Sequence, residues 1–226
     1  MIMYKLLISF LCSLWIVTAP NAQGQNISWG AVDSTQQVYM HGSLGVEYAM
    51  TYGFGGGYLI EAGPFTMLAD ISFSMPFGED LFDDKKIKAG GNILWVSYAH
   101  WALSTPVHAV FRTVENNYVQ MVNFGSDMSA VAGYYRKHWF IAGEVGFDKA
   151  IATRFQHTEQ YQGIYPQVVD GWYEPDTGGI FYYGVQLGVT YKQLTLGGSA
   201  GKLLQEDFTS KPMLPFYGSV SLSYLL

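Results

Sequence analysis

The chain predicts an all-β fold, a transmembrane antiparallel up-and-down β-barrel, from three observations. Segment after segment alternates apolar with small or polar residues, the period-two pattern that sends successive side chains to opposite faces of a strand. The last stretch does so to its end, with Val220, Leu222, Tyr224 and Leu226 on one side and Ser219, Ser221 and Ser223 on the other. Beyond the N-terminal leader, no apolar run reaches the about 20 residues of a membrane helix.

The leader comes first. Lys5 is the only charge before the apolar run Leu6 to Val17, and the small residues Ala19, Ala22 and Gly24 follow. A charged start, a short apolar centre and a small-residue exit describe a signal peptide, 1–24, cleaved after Gly24. The alternative is a retained N-terminal anchor. Residues 25–226 then form a single barrel domain. Cys12, the only cysteine, lies in the apolar run behind Leu11, which is not a lipoprotein acylation context. Removal of the leader would leave no thiol for disulfides, catalysis or metal binding.

Composition narrows the class. Aromatic residues make up 16% of the chain and charged residues 13%, against about 25% charged in soluble domains. Without Lys5, 11 Lys and Arg face 18 Asp and Glu, a net charge of −7. There is no basic stripe, which argues against a nucleic-acid partner.

The strands follow in order. Met40 to Phe54 reads as one long strand, with Leu44, Val46, Tyr48, Met50, Tyr52 and Phe54 on one face. Gly55-Gly56-Gly57 turns the chain into a second strand, Phe65 to Met75. Pro76 to Lys88 reads as a loop, acidic and then basic. The third strand is Gly91 to Leu103, and Ser104-Thr105-Pro106 is the turn after it. The fourth begins at Val107 and extends toward Phe124. The fifth is Ser129 to Tyr135, the sixth starts at Trp139, the seventh is Phe181 to Tyr191, the eighth Leu194 to Lys202, and the ninth closes the chain. The long stretch Thr153 to Gly179 is expected to carry a short helix near Thr158 to Gln162. A loop of that length is commonly functional or mobile.

Nine strands are an odd count, whereas single-chain bacterial barrels are even. A short first strand within Asn26 to Gln37 gives ten, the favoured number; merging two strands gives eight. Short turns near Ser104, Lys137 and Lys192 belong at the periplasmic end. Long connections near Asp83, Asn116, Thr177 and Glu206 belong outside. The competing fold, a soluble lipocalin-like barrel, would bury the aromatic rows inward. Glu47, Asp70, Arg112, Glu144 and Asp148 lie opposite those rows, which suits a narrow polar lumen within a lipid-facing shell.

On the leader, the strand rhythm and the closing Phe216-Tyr217 … Val220-Ser221-Leu222-Ser223-Tyr224-Leu225-Leu226, the chain resembles the small outer-membrane β-barrel proteins of Gram-negative bacteria. The resemblance implies residence in the outer membrane, contact with its lipid, and recognition of the C-terminal strand by the barrel-insertion machinery. Members usually end on an aromatic residue. This chain ends on Leu226, with its last aromatic at Tyr224.

The candidate chemistry is sparse. Glu47, Asp70, Arg112, Glu144 and Asp148 are expected to form a lumenal ion-pair network that fills the interior or, in an open porin-like pore, selects cations. His41 and Ser43, two apart on one face, resemble the His-x-Ser pair of outer-membrane lipid A deacylases and phospholipases, where histidine activates serine. Their expected lumenal orientation counts against that use. Glu79, Asp80, Asp83 and Asp84 offer oxygens for calcium but no loop spacing for it, so a solvated loop is expected. Asp170, Trp172, Tyr173 and Glu174 mix acids and aromatics suited to sugar or partner binding. The loop 153–179 is the candidate docking segment for a protein partner. Trp95, Trp101, Trp139, Tyr183 and Tyr191 are expected in the interface girdles. No cofactor or metal is expected. The function that follows is a non-enzymatic outer-membrane barrel, structural or surface-interacting, or a narrow pore. The alternatives are a lipid hydrolase using His41 and Ser43 and an accessory subunit of a surface complex.

Overall fold

The computed structural model describes residues 26–33, 36–46, 49–63, 65–77, 83–174, 179–210, 212 and 214–226. The expected signal 1–24 and Glu47 lie outside them. Eleven strands form: β1 (Val38–Val46), β2 (Met50–Ala62), β3 (Phe65–Pro76), β4 (Asp84–Tyr98), β5 (Trp101–Glu115), β6 (Val119–Tyr135), β7 (Trp139–His157), β8 (Gly171–Tyr173), β9 (Gly179–Tyr191), β10 (Leu194–Gln205) and β11 (Phe216–Leu225). The sheet runs β6-β5-β4-β3-β2-β1-β11-β10-β9-β7, and β6 pairs with β7 to close it. The result is a closed, antiparallel, ten-stranded up-and-down barrel. Three-residue β8 pairs only with the far end of β7, at Thr153 to Phe155, outside the ring.

Ten strands were expected, but the tenth arises elsewhere. The described residues of Asn26 to Gln37 form no strand and hold a single 3-10 turn, Trp29–Ala31. Instead, the stretch Met40 to Phe54 is two strands, hinged between Val46 and Met50, which pair with each other. Those paired residues share a face, so the apolar rhythm passes through the hinge unbroken and hides it. The Gly55 turn does not exist. Gly55 and Gly57 sit mid-strand and face inward, and a Cβ at Gly55 would approach His41 Cε1 to 2.5 Å.

The Ser104-Thr105-Pro106 turn is also absent. The hairpin falls at Ala99 and His100, both at positive φ (48° and 74°), as a two-residue hairpin loop requires. Neither residue is a usual turn former, so no residue type marks the bend. Pro106 is tolerated within β5 because the β5–β6 pairing skips from Ser104 to Val107, where its missing N–H is not needed. The turns at Lys137 and Lys192 stand as expected, as does a helix, Glu159–Ile164, N-capped by Thr158. The Pro76 to Lys88 loop shortens because β4 already begins at Asp84.

Both ends of the described chain and the connections at Gly63, Ala99-His100, Arg136–His138 and Lys192-Gln193 gather at one end of the barrel. The longer connections before β4, β9 and β11 gather at the other.

Candidate functional site

The barrel interior holds the chemistry. Strand register decides which side chains enter it, and contacts between non-adjacent strands confirm the direction, since such side chains can meet only across the lumen. The interior divides into three levels.

The short-turn end is filled. Asn26, Ile27, Ser28 and Trp29 are buried. Ile27 and Trp29 join an apolar cluster with Tyr39, Leu59, Leu68, Val131, Tyr135, Phe140 and Leu225. Tyr135 stacks on Phe140 at 5.3 Å. Asn26 Nδ2 donates to Ser221 Oγ at 3.0 Å, and Thr190 Oγ1 donates to Ser28 Oγ at 3.1 Å. These bonds tie the N-terminal segment to β11 and β9. Small inward residues make room for it: a Cβ at Gly197 would approach Asn26 Cβ to 2.7 Å.

The middle level is polar and cross-linked. His108 Nε2 lies 3.1 Å from both oxygens of Asp70, from β5 to β3. Lys88 Nζ on β4 reaches Asp127 Oδ2 on β6 at 2.6 Å, and Tyr182 OH on β9 donates to Asp127 Oδ1 at 2.8 Å. Glu144 on β7 accepts from Gln186 Nε2 on β9 and from Tyr217 OH on β11, both at 2.5 Å. Burying an ion is costly without a partner, and here partners are supplied across the barrel. Tyr217 fits because Gly184 and Gly201 face it; a Cβ on either would overlap its ring or hydroxyl.

The upper level opens into a cavity of about 400 Å³. Arg112 grips Asp84 with two bonds, Nε to Oδ1 at 2.9 Å and Nη2 to Oδ2 at 2.5 Å. Lys86, Asp148, Asn123 and Thr153 line the same space, with Val110, Val114, Met121, Phe155 and Ile180.

Of the charges singled out from the sequence, Asp70 and Glu144 therefore sit in the middle level, and Arg112 and Asp148 in the upper one. Lys86, Lys88, Asp84 and Asp127 were missed as a set. The signal was there: Asp84, Lys86 and Lys88 recur every second residue, the inward period of a strand, in a segment read as a loop. His41 and Ser43 face the lumen on β1. His41 lies against Tyr39, ring centroids 5.4 Å apart, and its buried Nδ1 has no hydrogen-bond partner among the described residues.

The outer-loop candidates separate. Asp170 ties the loop to β7, accepting from His157 N at 2.9 Å, His157 Nδ1 at 2.7 Å and Gln162 Nε2 at 3.2 Å. The His157 backbone N–H, with its ring, holds the Asp170 carboxyl below the usual carboxylate range. Trp172 is exposed and lies near Phe124, with centroids 5.9 Å apart. Tyr173 sets its ring edge-on to Phe155 at 5.6 Å and donates to the Val169 carbonyl at 2.6 Å. Glu174 is exposed at the rim. Glu79 and Asp80 lie outside the described residues, and Asp84 is engaged by Arg112 rather than free in a loop. Among the described residues, no cluster of three or more metal-ligating side chains forms.

No protein-family model and no curated protein matches the chain. Among solved structures, a mutant of Rh. blastica porin aligns with 84% of this chain and 99% of that chain, at 8% sequence identity and a TM-score of 0.22. So loose a likeness carries no argument; the closed fold stands on its own strand pairings.

Proposed function

We propose that the chain is an integral outer-membrane β-barrel with an occluded interior, acting as a structural or surface-interaction protein. The observation that carries this is the outer face. A ring of Tyr58, Phe65, Trp95, Trp101, Trp139 and Tyr191 surrounds the short-turn end, and Phe54, Phe73, Phe111, Phe124, Phe181 and Phe216 form a second ring toward the other. Between them, outward positions are aliphatic or small, as in Ile71, Val107, Ile141, Leu187, Leu196 and Val220. Among the described residues, two cations face outward at the level of the second ring: Lys202, whose ammonium lies 5.9 Å from the centre of the Phe216 ring, and Lys149, which pairs with Glu206. From Phe181 to Tyr191 the strand rises ten residues. At about 3.4 Å each and a tilt of about 45°, that projects to about 24 Å, close to the about 25 Å apolar band of outer-membrane barrels.

Occlusion is supported by the Asn26–Trp29 plug and the ion pairs above it. The rule that short turns face the periplasm puts the plug there and the open cavity outside. His41 and Ser43 are walled from lipid by their own strands, so their placement adds nothing to the hydrolase alternative. The exposed flap around β8, carrying Trp172, favours a surface contact over a purely structural role.

The refolded chain is expected to insert into planar bilayers as a folded barrel and stay electrically silent. Stable conductance steps would overturn occlusion, and recovery in the soluble fraction after membrane extraction would overturn the membrane reading. Deleting 158–174 and looking for loss of a co-purifying surface partner tests the flap.

A further inference from the structure

We infer that the outer wall over β1, β10 and β11 carries a seat for one anionic membrane lipid, with the lipid phosphate against Lys202 and an acyl chain in the groove below it. The inference rests on the membrane barrel proposed above and names a lipid partner for its outer face.

The groove is a dip in an otherwise bulky wall. On β9 the outward positions Tyr183, Val185, Leu187, Val189 and Tyr191 are all large. On the next three strands the outward positions include Ala200, Gly198, Gly218 and Gly42. Two adjoining hollows of about 450 and 440 Å³ result, and Leu44 and Val220 line both. Strand register orders the groove from the long-connection end. Lys202 lies beside Phe216, then Ala200 beside Gly218, then Gly198 beside Val220, then Leu196 beside Leu222. From Phe216 to Leu222 the strand advances six residues. At about 3.4 Å each and a tilt of about 45°, the groove descends about 14 Å, or about one leaflet of the about 25 Å apolar band.

Lumenal glycines such as Gly197 and Gly201 make room for Asn26 and Tyr217. Gly42 and Gly218 make room for no described side chain. A Cβ at Gly42 would meet only the Gly53 carbonyl oxygen at 3.9 Å, and one at Gly218 only that of Ser199 at 3.7 Å. The space over them suits a flexible apolar guest from the bilayer.

Lys202 supplies the charge complementarity. It is exposed at the level of the second aromatic ring, where headgroups meet the apolar band. Its ammonium lies 5.9 Å from the centre of the Phe216 ring, a contact that steadies the cation without neutralising it. Among the described residues, no carboxylate pairs with Lys202. The nearest acids along the chain are engaged elsewhere. Glu206 is held by Lys149 and the Gly179 N–H, and Asp207 by Thr209 and Ser210. Tyr183 stands opposite Lys202 on β9 and faces the same way, which brings a phenol donor to the headgroup level. A lone cation above an apolar groove matches an anionic headgroup followed by an acyl chain. A zwitterionic headgroup would bring a second positive charge toward Lys202. A second copy of the chain, related by a twofold axis along the membrane normal, would set two such lysines at one level.

The test is native mass spectrometry of the full barrel in a non-ionic detergent, titrated with dipalmitoyl phosphatidylglycerol or dipalmitoyl phosphatidylcholine. One phosphatidylglycerol is expected to bind saturably, about fivefold tighter than phosphatidylcholine, the effect of one cation on an anionic headgroup. Lys202→Gln is expected to remove that preference and leave phosphatidylcholine unchanged. Gly218→Leu, which fills the groove from its floor, is expected to weaken both lipids about tenfold, the loss of roughly two buried methylenes. Heat-modifiable gel migration establishes that each variant is folded, and Gly42→Leu fills the same groove if Gly218→Leu does not fold. Equal affinity for the two lipids, or a preference that survives Lys202→Gln, would overturn the anionic seat. Unchanged binding in the groove variants would overturn the groove. A dimer that Gly218→Leu abolishes would give this face to a second copy and overturn the lipid. Recovery in the soluble fraction reports the membrane reading separately, so a barrel that inserts but binds without preference loses this seat alone.

Discussion

Asp127→Ala should be among the most destabilising single substitutions in this barrel. Asp127 holds Lys88 Nζ at 2.6 Å and Tyr182 OH at 2.8 Å, and the side chains of the ion pair are only 7% and 9% exposed. A solvent-exposed pair contributes about 0–1 kcal/mol. Removing one member of a buried pair instead costs about 3–5 kcal/mol, because the remaining charge stays desolvated. Here the Lys88 ammonium would stay buried without this carboxylate, and the Tyr182 hydroxyl would lose its acceptor. The expected loss is thus about 3–5 kcal/mol, or about two to three and a half powers of ten in the unfolding constant. Urea unfolding in vesicles, followed by tryptophan fluorescence, measures it. The combined replacement Lys88→Met, Asp127→Leu and Tyr182→Phe removes charges and hydroxyl together and should recover most of the loss, since a well-packed apolar substitute for a buried pair is often neutral or better. If Asp127→Ala falls within about 1 kcal/mol of wild type, the pair behaves as a solvated one. The lumen would then be wet at that level, and the reasoning would fail.

Other outcomes follow from the same geometry. Gly201→Ala should cost about 1–3 kcal/mol by driving a methyl into the Tyr217 ring and breaking its bond to Glu144, while Gly143→Ala, whose Cβ would meet only the Gly184 carbonyl at 4.0 Å, should be nearly neutral in the same urea assay. Trp29→Ala should loosen the plug at the short-turn end by about 3–5 kcal/mol, read as faster amide exchange in Tyr135 and Phe140. In the loop after β10, bonds from the Ser210 hydroxyl, the Ser210 N–H and the Thr209 N–H lower the Asp207 carboxyl to about 2. Its folded value lies below the ordinary carboxyl value of 3.8, so the turn's stabilisation is fully present above pH 3.8 and disappears as pH falls through about 2. Carboxyl carbon-13 shifts of Asp207 should titrate there, and a midpoint near 4 would contradict the turn.

Much of the fold was legible because a barrel wall has two solvents. Each strand alternates an apolar outer face with an inner face that lines the lumen, and β9 shows this cleanly from Phe181 to Tyr191. The inward placement of Asp70, Arg112, Glu144 and Asp148 follows from the same period. Hairpins were legible where turns are polar and short, as at Lys137 and Lys192. They were illegible at Val46–Met50, where the rhythm continues through the bend, and at Ala99-His100, where two ordinary residues adopt positive φ under tertiary constraint. At Ser104-Thr105-Pro106 the reverse happened: a turn-like tripeptide was absorbed into a strand, with Thr105 and Pro106 at a gap in strand pairing.

By itself, the sequence determined the class of fold, the two-sided strands and the end at which the long connections lie, because these depend on local periodicity and turn length. Tertiary structure alone decided that Asn26–Trp29 fills the lumen, that Lys88 answers Asp127 and that Glu144 answers Tyr217 and Gln186. Those partners stand 38 to 195 residues apart in bonds such as Asp70–His108 and Asn26–Ser221. Only closure of β6 onto β7 brings them face to face, and no period along the chain encodes which inward side chains will meet across it.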